Sequence, residues 1–157
     1  MSKAANEIFE AIKNAQFVWT TGVGKSAAVA DLLARYLRNV GVPSAFLDAT
    51  DYWHGGRGGV KDSHLVVLVS ASGETEELLR LVEDCCSETV HIGKTPMRGV
   101  QMFWLSTGHQ TSLAVSVDPT QMTRAVYDLV CEYVKYAGVS RQDIDANHPA
   151  GASCGHI

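Results

Sequence analysis

Residues 64–75 read HLVVLVSASGET, a continuous apolar run that ends in small polar residues. An apolar run of this kind is typical of a strand that is buried on both faces of a parallel sheet. Beyond Gly73 the spacing becomes helical, with Leu78, Leu79 and Val82 on one face. This stretch therefore predicts a buried strand, a tight polar loop and a helix, in that order.

Similar patterns recur along the rest of the chain. Strands are predicted at residues 17–20, 45–47, 64–70, 100–105 and 113–117. Helices are predicted near residues 5–12, 26–40, after Gly73, at 120–137 and, as a short segment, at 140–146. Residues 89–99 fit either an extra strand or a loop. Because strands alternate with helices, we expect βαβ units and a mainly parallel sheet.

The length and composition indicate one globular domain. The chain has 157 residues, of which 46% are hydrophobic and 19% are charged. These values are typical of a chain with a full core and argue against disorder. Thirteen Lys and Arg against seventeen Asp and Glu give a net charge of -4. This balance argues against a nucleic-acid partner, which requires a basic face.

The cysteines and the hydropathy pattern predict the compartment. Cys85, Cys86, Cys131 and Cys154 form no C-x-x-C pair, so we expect reduced thiols rather than a zinc site. No apolar run reaches the ~20 residues that span a bilayer, and residues 1–16 do not resemble a secretory signal. We therefore expect a soluble, cytoplasmic protein without a membrane partner.

The first glycine-rich loop, TTGVGKS at residues 20–26, follows the first predicted strand. It fails as a P-loop because Trp19 stands where a glycine is needed. A dinucleotide fingerprint is formally matched by Gly22, Gly24 and Ala27, with Asp48 as the ribose acid. This match is weak, and a tight turn that binds no ligand remains an alternative for the two glycines.

Lys25 opens the helix that follows this loop. A cation at a helix N-terminus opposes the helix dipole, and an anionic ligand would offset that cost. The sequence therefore indicates an anion near Lys25, with a solvated lysine as the alternative.

The second loop, Ser70–Thr75, opens the helix after the buried strand. Its hydroxyls and backbone N–H groups lie at a helix N-terminus, which suits a phosphate. The alternative is plain helix capping by Ser72. Capping alone does not explain so many small hydroxyl residues, so a phosphate site is favoured.

The third loop, residues 51–59, holds four glycines, Arg57 and His54. A histidine titrates near neutrality and can transfer protons. An ordinary surface histidine is the alternative. His148, in the Gly-containing tail, is a similar case. The remaining histidines are expected to be structural: His64, His91, His109 and His156.

Taken together, these loops resemble the SIS (sugar isomerase) domain, and within it the arabinose-5-phosphate isomerases. The resemblance rests on five motifs in the family's order: Gly-x-Gly-Lys-Ser at 22–26, His54-Gly55, Ser-x-Ser-Gly-Glu at 70–74, Pro119-Thr120 with Thr123, and His148-Pro149-x-Gly151-Ala152. They cover nearly the whole chain.

The resemblance implies a three-layer α-β-α sandwich with a five-stranded parallel sheet, doubly wound and flavodoxin-like. It implies one SIS domain over residues 1–157. The expected absence of the paired CBS modules that follow many such domains is a departure from the family. It further implies a homotetramer with sites at subunit interfaces. The implied reaction interconverts D-ribulose 5-phosphate and D-arabinose 5-phosphate through an enediol, with no cofactor and no metal.

The resemblance also suggests residue roles. The catalytic candidates are His54, His148, Lys25 and Glu74. The phosphate-binding candidates are Ser70, Ser72, Gly73 and Thr75. Further substrate-binding candidates are Gly22, Gly24, Ser26, Thr120 and Thr123. Lys25 would stabilise the enediolate, and one of the two histidines would reach in from a neighbouring subunit.

Two other functions stay open. The chain could isomerise a different sugar phosphate, such as 6-phospho-3-hexulose. It could also sense a phosphosugar without turnover, because the segment before Pro119 lacks the Glu-bearing loop that family members place there. Retention of both His54 and His148 favours catalysis.

Overall fold

The structure is a computed structural model, and it describes residues 3–93, 97, 100 and 119–140. The elements in chain order are α1 (Lys3–Asn14), β1 (Phe17–Gly22), α2 (Lys25–Asn39), β2 (Ser44–Phe46), α3 (Ala49–Trp53), a 3-10 helix (Gly56–Gly59), β3 (His64–Val69), α4 (Glu76–Asp84), β4 (Glu88–Ile92) and α5 (Pro119–Ala137).

The described strands form one parallel sheet in the order β2-β1-β3-β4. Its register places Gly22 of β1 beside Val69 of β3, and Val69 beside Ile92 of β4. β3 is central and is buried from Leu65 to Val69. The prediction from its apolar run is therefore confirmed.

Helices cover both faces of the sheet. α1, α2 and α5 pack on one face, and their apolar side chains join Val18, Val67 and Val90 in one core. α3 and α4 pack on the other face, against Val66 and Leu68. The α/β three-layer arrangement is thus confirmed. None of the helices that the structure describes is long and apolar enough to cross a membrane.

The position of β4 decides between the two predictions for residues 89–99. β4 occupies residues 88–92, so the ambiguous segment begins with an extra strand rather than a loop. The predicted strand at 113–117 lies outside the described residues, as do all but Val100 of the strand at 100–105. The described sheet has four strands, and a fifth stays a prediction. The predicted short helix after Ser140 also lies outside them.

The third loop is more ordered than its glycines suggest. Its first three residues form the end of α3, a short helix that the periodicity did not predict. Asp48 caps this helix, because its carboxylate accepts hydrogen bonds from the N–H groups of Thr50 (2.7 Å) and Asp51 (3.2 Å). Asp48, the candidate ribose acid, thus serves in this structure as a helix cap.

Candidate active site

The sheet has a topological switch point between β1 and β3. The chain leaves β1 for β2 on one side and later returns to β3 on the other side. The helices that follow the two strands, α2 and α4, pack on opposite faces of the sheet. A crevice at the carboxyl ends of such strands is where open α/β sheets bind ligands. The first and second loops follow these two strands and therefore lie side by side.

The first loop brings the start of α2 close to the end of β1. A Cβ atom on Gly22 would lie 2.7 Å from the backbone oxygen of Ser26, so only glycine fits there. Gly24 caps α2 with a φ of 64° and provides no side-chain cap. The first N–H groups of a helix have no partner within it, so they remain available to an anion. Lys25 is exposed, and Ser26 is half-buried.

The second loop is held by its own hydroxyls. The Ser70 hydroxyl is buried, accepts the Gly73 N–H at 3.1 Å and lies 2.9 Å from the Thr75 hydroxyl. The Ser72 hydroxyl accepts the Glu74 N–H at 3.1 Å. Ser72 and Glu74 are exposed, so the loop presents them outward, whereas Ser70 organises it from beneath. α4 begins without a side-chain cap, so helix capping by Ser72 does not explain this loop.

His91 supports this loop from β4. Its ring is buried, and Nε2 lies 2.7 Å from the carbonyl oxygen of Ser70. The neutral Nε2–H tautomer donates to that oxygen. The Ser70 N–H donates in turn to the carbonyl of Ile92 at 3.0 Å. His91 is structural, as predicted, but the structure adds that it fixes the residue from which the polar loop begins.

Burial lowers the pKa of His91 below its ordinary value of 6.5, although the bond to the Ser70 carbonyl opposes this shift. The folded state thus disfavours imidazolium, while the unfolded chain takes up a proton near pH 6.5. We expect the His91 contribution to the free energy of unfolding to be complete above about pH 6.5 and to diminish as the pH falls below it, by at most about 1.4 kcal/mol per pH unit.

Urea unfolding between about pH 7.5 and pH 5 measures this effect. The matched variant is His91→Gln, whose amide N–H can still donate to Ser70 but does not titrate. The variant should lose less stability on acidification than the wild type. Equal pH dependence in the two proteins would contradict the assignment.

His54 lies at the end of α3, in a cavity of about 330 Å³ between α3 and α4. The cavity is lined by Ala49, Thr50, Trp53, His54, Glu77 and Arg80. Glu77 belongs to the first turn of α4, the helix that the second loop opens. The first turn of α4 therefore follows the second loop and also lines the cavity that contains His54.

Lys25 lines a different cavity, of about 410 Å³, between α2 and α5. Thr123 of α5 lines the same cavity, so the structure brings these two predicted site residues together. It does not bring Lys25 into the His54 cavity. Thr120 lies in the first turn of α5, and His148 lies outside the described residues. In the part of the chain that is described, no three His, Cys, Asp or Glu side chains group as a metal site.

Comparison with known proteins assigns the family. The SIS domain profile matches residues 11–92, more than half of the 157-residue chain. The chain belongs to the SIS domain family. The match covers both polar loops and His54, and it ends at β4. The resemblance inferred from the five motifs is confirmed at the level of the family.

Relatives of this SIS domain include an isomerase. The arabinose 5-phosphate isomerase KpsF of Escherichia coli is 40% identical over 62 residues, which cover 40% of this chain and 20% of that enzyme. The match thus spans only about a fifth of the length of this curated relative.

Solved structures share the fold. One is a Bacteroides fragilis protein assigned as a phosphosugar isomerase involved in capsule formation, with 25% identity, a TM-score of 0.76, and coverage of 94% of this chain and 86% of that one. Another is the sugar isomerase domain of an RpiR transcription factor from Sphaerobacter thermophilus, with 20% identity, a TM-score of 0.70, and coverage of 96% and 86%. The second likeness shows the fold alone.

Sequence reasoning missed two neighbours of the predicted residues. Arg80 shares the His54 cavity, and Gly93 packs against Ser70 and His91. For Gly93, the sequence signal was His91, a histidine within a short strand that stands two residues before the glycine. Arg80 gave no signal, because an arginine on an amphipathic helix is usually a solvated residue.

Proposed function

We propose that this SIS domain is an isomerase that interconverts D-ribulose 5-phosphate and D-arabinose 5-phosphate. The observation that carries the proposal is the meeting of two polar loops at the switch point between β1 and β3. The helix that follows the second loop, α4, also lines the cavity that contains His54. The kinship with KpsF supports this substrate class. The active unit is a single SIS domain of residues 1–157 in a cytoplasmic homotetramer with sites at subunit interfaces.

The second loop holds the phosphate. Ser72 and Thr75 offer hydroxyls, and the first-turn amides of α4 offer N–H donors at the positive end of the helix. Ser70 and Gly73 keep the loop in shape through their mutual hydrogen bond. The first loop, from Gly22 through Gly24 to Ser26, closes the other side of the crevice, and Thr120 and Thr123 bind the sugar.

The reaction moves hydrogen between two carbons. A base removes a proton from C1 of ribulose 5-phosphate, the electron pair forms the C1=C2 bond, and the C2 carbonyl oxygen takes up a proton. The enediol then loses the proton of its C1 hydroxyl as C2 is protonated, which gives the aldose. His54 and His148 act as base and acid, and Glu74 binds substrate hydroxyls. Lys25 lines the other cavity with Thr123, so within one chain it does not share a cavity with His54.

Proton NMR in D₂O with D-ribulose 5-phosphate tests this function. We expect arabinose 5-phosphate to appear with deuterium at C2, because the enediol exchanges its proton with solvent. D-Ribulose without phosphate is the control and should react far more slowly. A 6-phospho-3-hexulose sample run in parallel tests the other sugar phosphate.

A phosphosugar sensor is the second candidate, since the fold also occurs in a transcription factor. Ligand-dependent shifts of protein signals without turnover would favour the sensor. Neither turnover nor binding of any sugar phosphate would contradict both functions.

A further inference from the structure

Arg80 has no ion-pair partner within 4.0 Å among the residues that the structure describes. It lies on α4 and is exposed, and its guanidinium lies 5.1 Å from the centre of the Trp53 ring. Arg57, by contrast, lies 5.9 Å from the same ring but pairs with Asp84 at 3.1 Å. Of these two cations, Arg80 keeps its N–H donors available to a ligand.

The Trp53 ring under Arg80 packs against its buried neighbour Tyr52. The two rings pack edge-on at 5.1 Å, and the Tyr52 hydroxyl donates to Asp84 at 2.6 Å. This bond ties α3 to the last residue of α4. A guanidinium that stacks on an aromatic face is restricted in orientation, so less entropy is lost when it binds an anion.

The cavity places this cation together with His54. Both side chains line the same 330 Å³ space, along with Glu77. Lys25, the cation that sequence reasoning assigned to the enediolate, lines the other cavity with Thr123. The cation that shares a space with the proposed acid–base histidine is thus Arg80.

We infer that Arg80 binds the two adjacent oxygens, O1 and O2, of the sugar as the enediolate forms. This inference rests on the proposed isomerase function. The two oxygens of a cis-enediolate lie in one plane and share a negative charge, and the planar N–H fork of a guanidinium matches such a pair in a bidentate way. A fixed cation at the site of developing charge lowers the barrier to its formation.

The inference specifies a class of ligand beyond the substrate. A sugar acid phosphate that ends in a carboxylate presents two coplanar, negatively charged oxygens where the enediolate would have them. D-Erythronate 4-phosphate, one carbon shorter than the substrate, is such a molecule. D-Erythritol 4-phosphate has the same carbon chain and phosphate but a neutral alcohol at that end. Only the first should depend on Arg80.

Isothermal titration calorimetry of the full chain with both compounds tests the inference. Arg80→Gln should weaken binding of the acid by about 10–100-fold, the range for lost hydrogen bonds to a charged group, and change binding of the alcohol by less than about 2-fold. Arg80→Lys keeps the charge without the fork, so it should fall between Gln and the wild type. Lys13→Gln, an exposed charge removal on α1, should change neither affinity.

The outcomes separate the two proposals. Suppose that the wild type binds both compounds. If Arg80→Gln then weakens binding of both equally, or weakens binding of neither, the role of Arg80 is overturned while sugar-phosphate binding stands. If the wild type binds neither compound, this inference fails, and turnover of D-ribulose 5-phosphate decides separately whether the proposed function stands. Because Arg80 is exposed, its variants should unfold at the wild-type urea midpoint, which excludes a folding defect as the cause.

Discussion

His54→Ala is expected to lower kcat by about 10²–10⁴-fold, the usual contribution of a general acid or base. The side chain is exposed at the end of α3, so its removal should change the free energy of unfolding by less than about 0.5 kcal/mol. His148→Ala should lower kcat over the same range. Initial rates with D-ribulose 5-phosphate, together with urea unfolding of each variant, measure both quantities.

Ser72→Ala is the comparison variant. The hydroxyl lies on the exposed side of the phosphate loop and is not a proton-transfer group, so its loss should raise KM with little change in kcat. A split of this kind would separate anchoring from chemistry. Full activity in both histidine variants would rule out the acid–base assignment, whatever Ser72→Ala does.

Much of the fold follows from local patterns. The apolar run of β3 and the helical spacing of α2 are long enough to specify their elements without tertiary contacts. α3 has only five residues, and its capping aspartate lies two residues after β2, so no periodicity could reveal it. β4 has only five residues, ETVHI, with two polar residues at its start, so its sequence suits a loop as well.

The loops of the candidate site could be predicted from the sequence, but the residues that pack around them could not. Glycines and hydroxyl residues at strand ends mark the loops, because turns and helix starts require them. The supporting contacts join residues far apart in sequence. His91 meets the Ser70 carbonyl 21 positions away, and Arg80 meets Trp53 from another helix. Spacing carries no information about such pairs, so the cavity partners of His54 came only from the structure.

Gly93→Ala is expected to cost about 3 kcal/mol in the free energy of unfolding, at the upper end of the cost of overpacking. A Cβ atom there would overlap the Ser70 carbonyl oxygen and lie 2.5 Å from Nε2 of His91. Neither group can retreat easily, because both residues are buried and they hydrogen-bond to each other at 2.7 Å. The strain must therefore move the backbone.

Gly58→Ala is the matched control for this substitution. A Cβ atom at Gly58 would meet nothing within 4 Å, so the change should be neutral or stabilising by up to about 1 kcal/mol, through loss of unfolded-state entropy. Urea midpoints at a constant m-value compare the two variants. Equal midpoints would mean that the end of β4 has room that the structure does not show.

The strain introduced by Gly93→Ala should also weaken ligand binding. Ser70 is the residue that would be displaced, and its hydroxyl holds Gly73 and Thr75 in the polar loop. Where Gly93→Ala remains folded, we therefore expect weaker binding of D-arabinose 5-phosphate than in Gly58→Ala. Calorimetric titration of the two folded variants measures this. Unchanged affinity alongside lost stability would show that the loop keeps its shape without β4, and that its geometry is specified by its own hydrogen bonds.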